Sequence, residues 1–268
     1  MRAFVVSVRT DEAELAADVL WSLGVLAVEE RTVGEGMVEL WTSLGDADPG
    51  GVGLPVDWSW RIEEVDDAVV DTWRQYATPI VIDDDLLVVP AWIRSTTSAD
   101  VTQVLVEPGS TFGLGDHPTT ILSLRALRRH LDRSTELLDV GCGSGVLAVT
   151  ACVLGARSAI AIDISPAAVP VTVDNAARNG VADRVAVSTT PLADIDRSFD
   201  LVVANILAPT LVALSADLRR VVAPGGRLIV SGILADRHRH VIDAMAPFEV
   251  ESTDVLDGWA AVTLHRSS

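Results

Sequence analysis

From about residue 101 to the end of the chain, short apolar runs alternate with segments in which apolar residues recur at helical spacing. This alternation is typical of a parallel sheet that is covered by helices on both faces. The predicted helices are residues 119–131, 145–154, 167–179 and 210–222, and the predicted strands are residues 137–140, 158–162, 185–188, 201–204 and 227–231. The pattern therefore predicts the α/β fold class, with a doubly wound, Rossmann-like sheet.

The first 65 residues have a different pattern. Residues 4–8 alternate between apolar and polar as a half-buried strand does, whereas residues 11–23 carry apolar side chains at helical spacing. Residues 42–57 are rich in Gly, Asp and Pro and lack periodicity, so we interpret them as a loop. Three further strands are predicted at residues 25–33, 37–41 and 58–65. Together these elements predict a small α+β unit.

The change of pattern predicts two domains and a connection between them. We assign residues 1–65 to an N-terminal α+β domain and residues 101–268 to the α/β domain. Residues 66–100 form a linker region in this interpretation. The linker has helical character at residues 67–76 and short apolar strands at residues 80–82 and 86–90.

The charge of the chain excludes several kinds of chemistry. The formal net charge is −18, and all 20 basic residues are Arg. Without lysine, the chain has neither a phosphate-binding loop of the GK[ST] kind nor a Schiff-base lysine. The negative charge argues against unaided binding of nucleic acid, so we expect no stable nucleic-acid partner. A basic protein substrate is compatible with it.

The remaining bulk features are those of an ordinary intracellular protein. No apolar run approaches the roughly 20 residues of a membrane-spanning helix, and the N-terminus lacks the apolar core of a secretory signal. Cys142 and Cys152 have no zinc-like spacing, and we interpret both as small packing residues. We therefore expect a cytoplasmic monomer without a metal ion or a membrane contact.

A glycine-rich loop is the first candidate for chemistry. Asp139 ends a predicted strand, and Gly141, Gly143 and Gly145 follow it before a predicted helix. Glycines are needed where the chain turns sharply and where its backbone approaches a ligand closely. The spacing is Gly-x-Gly-x-Gly, whereas dinucleotide-binding loops have Gly-x-Gly-x-x-Gly. It favours S-adenosylmethionine, whose methionine end needs a flat glycine wall, over a pyrophosphate, which needs a free helix N-terminus.

Asp163 strengthens this interpretation. It ends the next predicted strand, about 20 residues beyond the glycine loop, where a carboxylate can accept hydrogen bonds from ribose hydroxyls. The alternative is that Asp163 caps the following helix, since Asp and Ser are favoured at that position.

Asn205 follows the fourth predicted strand, in the run Asp200 to Leu207. The strand delivers Asn205 to the carboxyl end of the sheet, where such folds place their reactive groups. Its amide could contact the amino-acid end of the cofactor or orient an incoming amine. The alternative is an asparagine that only forms a turn after the strand.

The segment from Glu107 to Thr120 is the fourth candidate. Its three glycines around Phe112 suggest a mobile loop that closes over a ligand. Pro118 suits the first position of a helix, with Asp116 or His117 as its cap. Thr120 would then lie in the first turn and face the cofactor. A structural role for His117 is favoured over a chemical one.

These segments together resemble the ribosomal protein L11 methyltransferases. That family carries Phe-Gly-x-Gly-x-His-Pro-Thr-Thr before its glycine loop, and here residues 112–120 read FGLGDHPTT. It also carries Asn-Ile-Leu after the fourth strand and Ser-Gly-Ile-Leu later, which are residues 205–207 and 231–234 here. The resemblance covers roughly residues 70 to 265.

The resemblance implies cofactor contacts at Thr120, Gly141, Asp163 and Asn205. It implies an N-terminal substrate-recognition domain of ferredoxin-like topology, which has a second helix in the region that we interpret as a loop. The implied reaction is methylation of lysine side chains and of the α-amino group of ribosomal protein L11.

Methyl transfer from a sulfonium is an in-line displacement that requires alignment with a neutral amine. Our hypothesis is that Asn205, the candidate catalytic residue, and the backbone near Ile206 position that amine. Three alternatives remain at this point. The same core could act on another protein lysine or on a small molecule, the chain could be a non-catalytic cofactor-binding module, or it could be a nicotinamide-dependent dehydrogenase, which the glycine spacing disfavours.

Overall fold

The computed structural model describes residues 2–22, 25, 28–34, 36–42, 54–55, 57–64, 77–95, 98, 100–109 and 114–267. The chain divides into two units, Met1–Ala77 and Thr78–Ser268. The division falls inside the segment that we interpreted as a linker from the sequence. The helical character predicted for residues 67–76 lies outside the described residues. None of the described helices is long and apolar enough to span a bilayer.

The first unit contains a four-stranded antiparallel sheet and one described α-helix, which a short 3-10 helix (Thr10–Glu12) precedes. Its elements are β1 (Arg2–Arg9), α1 (Ala13–Ser22), β2 (Val28–Gly34), β3 (Met37–Thr42) and β4 (Ser59–Glu64). The strand order is β2-β3-β1-β4, with β1 between β3 and β4. Phe4, Val6 and Leu40 pack with Leu20 of α1 in one core. This is the ferredoxin-like strand order, and most of the region for a second helix lies outside the described residues.

The second unit begins with a small three-stranded sheet made of β5 (Ile80–Asp83), β6 (Leu86–Pro90) and β7 (Thr102–Val106). Strands β5 and β6 are antiparallel, whereas β6 and β7 are parallel. The buried side chains of Ile82, Val88 and Val104 join the same hydrophobic core as the helices that follow.

The central sheet has seven strands in the order β10-β9-β8-β11-β12-β14-β13. The strands are β8 (Glu136–Val140), β9 (Ser158–Ile162), β10 (Val185–Ser188), β11 (Phe199–Asn205), β12 (Val222–Leu234), β13 (Glu249–Leu256) and β14 (Trp259–His265). The first five in this order are parallel, and β14 and β13 are added antiparallel. The helices are α2 (Pro118–His130), α3 (Val146–Val153), α4 (Ala168–Arg178), α5 (Ala208–Ala213), α6 (Ser215–Arg220) and α7 (Arg239–Ala244).

Both faces of the central sheet are buried at its centre. Neighbouring residues of a strand point to opposite faces, and Leu137 and Leu138 of β8 are both fully buried. Leu137 packs in the core that contains Leu124 of α2, whereas Leu138 packs in the core that contains Leu211 of α5. The predicted doubly wound α/β fold is confirmed.

One predicted helix of this unit is wrong. Residues 210–222 form two short helices, α5 and α6, and Val222 already begins β12. The backbone of Leu214 between them has φ −90° and ψ 3°, outside the helical range. Leu211 and Leu218 lie seven residues apart and are both fully buried, so the apolar spacing of the sequence concealed the break.

Candidate cofactor site

The glycine loop between β8 and α3 requires glycine for two reasons. Gly141, Gly143 and Gly145 have φ values of 76°, 53° and 76°, in the left-handed region that other residues rarely adopt. A Cβ on Gly141 would lie 2.4 Å from Cγ2 of Ile206, and one on Gly145 would lie 2.5 Å from Cγ2 of Thr172. The loop therefore passes closely between the segment after β11 and helix α4.

Asp139 places a buried carboxylate beneath this loop. Its side chain is 0% exposed, and its Oδ2 accepts a hydrogen bond of 3.1 Å from the backbone N–H of Ala148. Its Oδ1 is buried without a hydrogen-bond partner among the described residues. Burial, together with the negative charge of Asp163, raises the pKa of Asp139 to about 7. A buried acceptor of this kind requires an explanation, and a cationic ligand group would supply one.

Asp163 lies immediately after β9 and binds the glycine loop directly. Its Oδ2 accepts from the N–H of Gly143 at 2.8 Å, and its Oδ1 accepts from the N–H of Ser165 at 2.8 Å. Helix α4 has Ala167 at its N-cap with no side-chain cap bond, so Asp163 is not the cap residue of that helix. Each carboxylate oxygen can still accept a further hydrogen bond, as ribose hydroxyls would require.

Asn205 ends β11 and contacts the first turn of α2. Its Nδ2 donates to Oγ1 of Thr120 over 3.4 Å, and Thr120 is 1% exposed. The side chain thus contacts a residue 85 positions away in the chain, which a local turn does not require. The structure brings these two sequence candidates together at the carboxyl end of the sheet.

The later Ser-Gly-Ile-Leu segment, at the end of β12, packs against the two segments that carry Asn205 and Thr120. The hydroxyl of Ser231 lies 3.3 Å from the carbonyl oxygen of Thr119 and 3.1 Å from that of Ala260. Gly232 has φ 85°, and a Cβ there would lie 2.4 Å from the carbonyl oxygen of Ile206. The end of β12 therefore fixes both the start of α2 and the backbone after Asn205.

His117 is the cap of α2, and Pro118 is the first residue of that helix, as predicted. The Nδ1 of His117 accepts a hydrogen bond from the N–H of Thr119 at 3.3 Å. The imidazole ring contacts the ring of Trp259 edge-on, with 5.0 Å between the ring centroids. Burial lowers the pKa of His117, and the charge of Asp116 opposes this only in part. These contacts support the structural role. Phe112 and Gly113 lie outside the described residues.

Some residues at the site were not recognised from the sequence. Ile164, directly after Asp163, is 94% exposed although it is strongly apolar. Thr172 and Asn175 of α4 are both 0% exposed and bind carbonyl groups of the glycine loop. Asparagine is unfavourable inside a helix, and this signal could have marked Asn175.

Metal and thiol chemistry have no counterpart in the described part of the chain. It contains no group of three or more His, Cys, Asp and Glu side chains arranged for a metal ion. Cys142 and Cys152 are free and buried, and burial raises the pKa of both thiols. This is how small packing residues behave.

A comparison with protein families identifies the family of the chain. The family model described as "Ribosomal protein L11 methyltransferase (PrmA)" matches residues 6–267. The chain belongs to this family. Membership makes S-adenosylmethionine the cofactor, and the candidate site fits it: Gly141 and Gly145 have no room for a side chain, and Asp139 holds a buried acceptor without a partner among the described residues.

Individual members of the family support the assignment. The ribosomal protein L11 methyltransferase of Pseudomonas putida (strain W619) is 35% identical over 286 residues, which cover 97% of each chain. That of Exiguobacterium sp. (strain ATCC BAA-1283 / AT1b) is 38% identical over 194 residues. These residues are 71% of this chain but only 62% of that relative, so this match spans less than two thirds of the relative's length.

A solved structure shows the same architecture. The ribosomal protein L11 methylase from Lactobacillus delbrueckii subsp. bulgaricus superposes with a TM-score of 0.66 and 33% sequence identity. The superposition covers 72% of this chain and 100% of that chain. The superposed part of the chain therefore has the fold of a family member.

Proposed function

We propose that this chain is an S-adenosylmethionine-dependent methyltransferase whose substrate is ribosomal protein L11. The acceptors are amino groups, both lysine side chains and the α-amino group. The observation that carries the proposal is the contact of Asn205 with Thr120 beside the glycine loop, because it orients an amide at the edge of the candidate cofactor site. A ribosomal substrate places the reaction in the cytoplasm, and we expect a monomer.

The residues that would hold the cofactor lie in β8 and the glycine loop after it, at the ends of β9 and β11, and in the first turn of α2. They are Thr120, Asp139, Gly141, Gly143, Gly145, Asp163 and Asn205. The carboxylate of Asp163 suits the ribose hydroxyls, and the exposed Ile164 offers an apolar surface beside them. When bound, S-adenosylmethionine supplies an electrophilic methyl group on a positively charged sulfur.

Asn205 is the residue that positions the acceptor amine in this proposal. Its Nδ2 donates to Thr120, so its Oδ1 is the atom oriented to accept an N–H of the amine. The backbone of Ile206, which passes close to Gly232, fixes the segment that carries this acceptor. A fixed acceptor orients the nitrogen lone pair, and alignment of this kind supplies a large part of the rate in displacement reactions.

The acceptor must be a neutral amine, although a lysine side chain has a pKa of about 10.4 in water. A desolvated site lowers this value because it disfavours the ammonium form. The interior of the site provides such surroundings: Asp139 and Thr120 are at most 1% exposed. The site therefore binds the neutral amine in preference to the ammonium form, and the proton that the amine loses goes to solvent.

The N-terminal unit is assigned to recognition of the protein substrate. Its ferredoxin-like strand order agrees with the domain that the family resemblance implied from the sequence. The cofactor candidates all lie in the second unit, which leaves the first for contacts with L11.

A direct methyl-transfer assay tests the proposal. The full chain, isotopically labelled S-adenosylmethionine and recombinant L11 are combined, and mass spectrometry locates the added methyl groups. Label on lysine side chains or on the N-terminus of L11 is the expected result. L11 with acetylated amines is the control and must remain unlabelled. Cofactor binding without transfer to L11 would contradict the substrate and direct the search to another amine.

A further inference from the structure

Two asparagine side chains complete the open edge of β7. On one side β7 pairs with β6. On the other side, Asn179 accepts from the N–H of Leu105 at 2.8 Å and donates to its carbonyl group at 2.7 Å. Asn175 makes the same two bonds with Glu107, each 2.9 Å long. Since alternate residues of a strand direct their backbone groups to the same edge, the two amides take the place of a neighbouring strand.

Asn175 differs from Asn179 in the second hydrogen bond that its amide nitrogen donates. Its Nδ2 also donates to the carbonyl oxygen of Ser144, in the glycine loop, at 2.9 Å. The second N–H of Asn179 instead binds the carbonyl group of Asn175 within the helix, at 2.8 Å. Asn175 therefore connects β7 to the glycine loop, whereas Asn179 connects β7 to α4.

The two segments that Asn175 joins both lead to the cofactor site. Ser144 lies between Gly143 and Gly145, and Glu107 opens the segment that ends in His117 and Thr120. Asn175 is 0% exposed, and its Oδ1 also accepts from Nη1 of Arg178 at 2.5 Å. A buried amide with this many hydrogen bonds holds its partners at fixed separations, because a lost bond would leave a buried carbonyl group unsatisfied.

We propose that Asn175 is a positioning residue for cofactor binding. Its carboxamide fixes the separation between the glycine loop and the start of the segment that carries Thr120. Asn175 does not itself contact the cofactor. The inference rests on the proposed function, since the ligand of the site is S-adenosylmethionine.

A matched pair of variants tests this role. Asn175→Asp and Asn179→Asp each keep the oxygen that accepts the backbone N–H. Each substitution removes the two hydrogen bonds that the amide nitrogen donates, and it places a second carboxylate oxygen against the two carbonyl groups that accepted those bonds. We expect Asn175→Asp to weaken the binding of S-adenosylhomocysteine at least about fivefold, the lower end of ordinary coupling between sites. Asn179→Asp leaves this affinity unchanged within error. Isothermal titration calorimetry gives the dissociation constants, and both variants are expected to have a lower Tm.

Kinetics separate positioning from general damage. In Asn175→Asp the KM for the cofactor rises while kcat at saturating cofactor is retained. Equal affinities in the three proteins, or an equal loss in both variants, would overturn the role of Asn175 and leave the proposed function intact. If the unaltered chain fails to bind S-adenosylhomocysteine, both the proposed function and this inference are wrong.

Hydrogen exchange in the unaltered chain gives a second measurement that does not depend on the folding of a variant. The N–H of Glu107 donates a hydrogen bond to Asn175, and the N–H of Leu105 donates one to Asn179. Binding of S-adenosylhomocysteine is expected to slow hydrogen exchange of the Glu107 N–H more than that of the Leu105 N–H. Equal slowing of the two amides would overturn the inference.

Discussion

At the scale of single residues, one hydrogen bond determines the orientation of the Asn205 side chain. Its amide nitrogen is directed to the hydroxyl of Thr120, so the amide oxygen has a defined orientation. Neither residue alone marks a site, because asparagine is common after strands and threonine is common in first turns. Together they orient the acceptor that holds the amine in our proposal.

We expect Asn205→Ala to lower kcat about 100-fold at saturating cofactor, the usual effect of misplacing a reacting group. The reason is that the amine loses its orienting acceptor. Thr120→Ser keeps the hydroxyl and is the control, with a turnover close to that of the unaltered chain. Steady-state assays with L11 measure both. An unchanged kcat in Asn205→Ala would rule out the assigned role.

Asp139 makes the stability of the chain depend on pH in an unusual direction. The folded chain keeps a proton on this carboxyl up to a pKa of about 7, whereas the unfolded chain releases it near the ordinary value of 3.8. The folded state therefore binds more protons between these values. The resulting stabilisation is complete below the lower pKa and is lost as the pH rises to about 7.

The variant Asp139→Asn tests this prediction. Between pH 5 and 7, the unfolding free energy of the unaltered chain should fall relative to the variant by about 1.4 kcal/mol per pH unit. Urea unfolding of both proteins over this range provides the comparison, because the other titrating groups are shared. Parallel pH profiles would show that Asp139 is already ionised in the folded chain.

At the scale of elements, the contact between β12 and the segment after β11 holds the site in place. Gly232 lets the backbone of Ile206 pass where a Cβ would lie 2.4 Å from its carbonyl oxygen. Gly258 in the β13–β14 turn has a similar φ of 80° but nothing within 4 Å of an added Cβ. An alanine at position 258 would therefore suffer backbone strain alone, whereas an alanine at position 232 would suffer backbone strain and a steric clash.

We expect Gly258→Ala and Gly232→Ala each to lower the free energy of unfolding by about 1–2 kcal/mol, because alanine is strained in the left-handed conformation. Gly232→Ala should lose about 1–3 kcal/mol more from overpacking, together with much of its turnover, because Asn205 precedes the displaced Ile206. Urea unfolding and the methyl-transfer assay measure the two effects. Equal stability of the two variants would show that the backbone of Ile206 moves away without cost.

At the scale of the whole molecule, the family assignment makes a choice between two cofactor classes. S-adenosylhomocysteine at 100 times its dissociation constant should stabilise the chain by about 2.7 kcal/mol, since it binds the folded state alone. NAD at the same concentration should leave Tm unchanged, because the loop spacing does not suit a pyrophosphate. Calorimetric scans measure both shifts. A rise in Tm with NAD would contradict the assignment of the glycine loop.

Most of the architecture could be predicted because it depends on local periodicity. The predicted strands at residues 158–162 and 185–188 coincide with β9 and β10, since short apolar runs between turns have few alternative interpretations. Strands β7, β13 and β14 were not predicted. The residues of β13 are mostly polar and exposed, and it is a strand because β14 supplies its hydrogen bonds. The break at Leu214 was not predicted either, because the buried leucines on either side of it keep helical spacing.

The sequence by itself determined the fold class, the glycine loop with its two acidic residues, and the family, because these depend on residue types at short, fixed spacings. Only the tertiary structure decided which distant residues meet. It joined Asn205 to Thr120, placed Gly232 against Ile206, left Oδ1 of Asp139 buried without a described partner, and used Asn175 to connect β7 with the glycine loop. Such contacts form where strands and helices far apart in the chain pack together, and their partners cannot be deduced from local pattern.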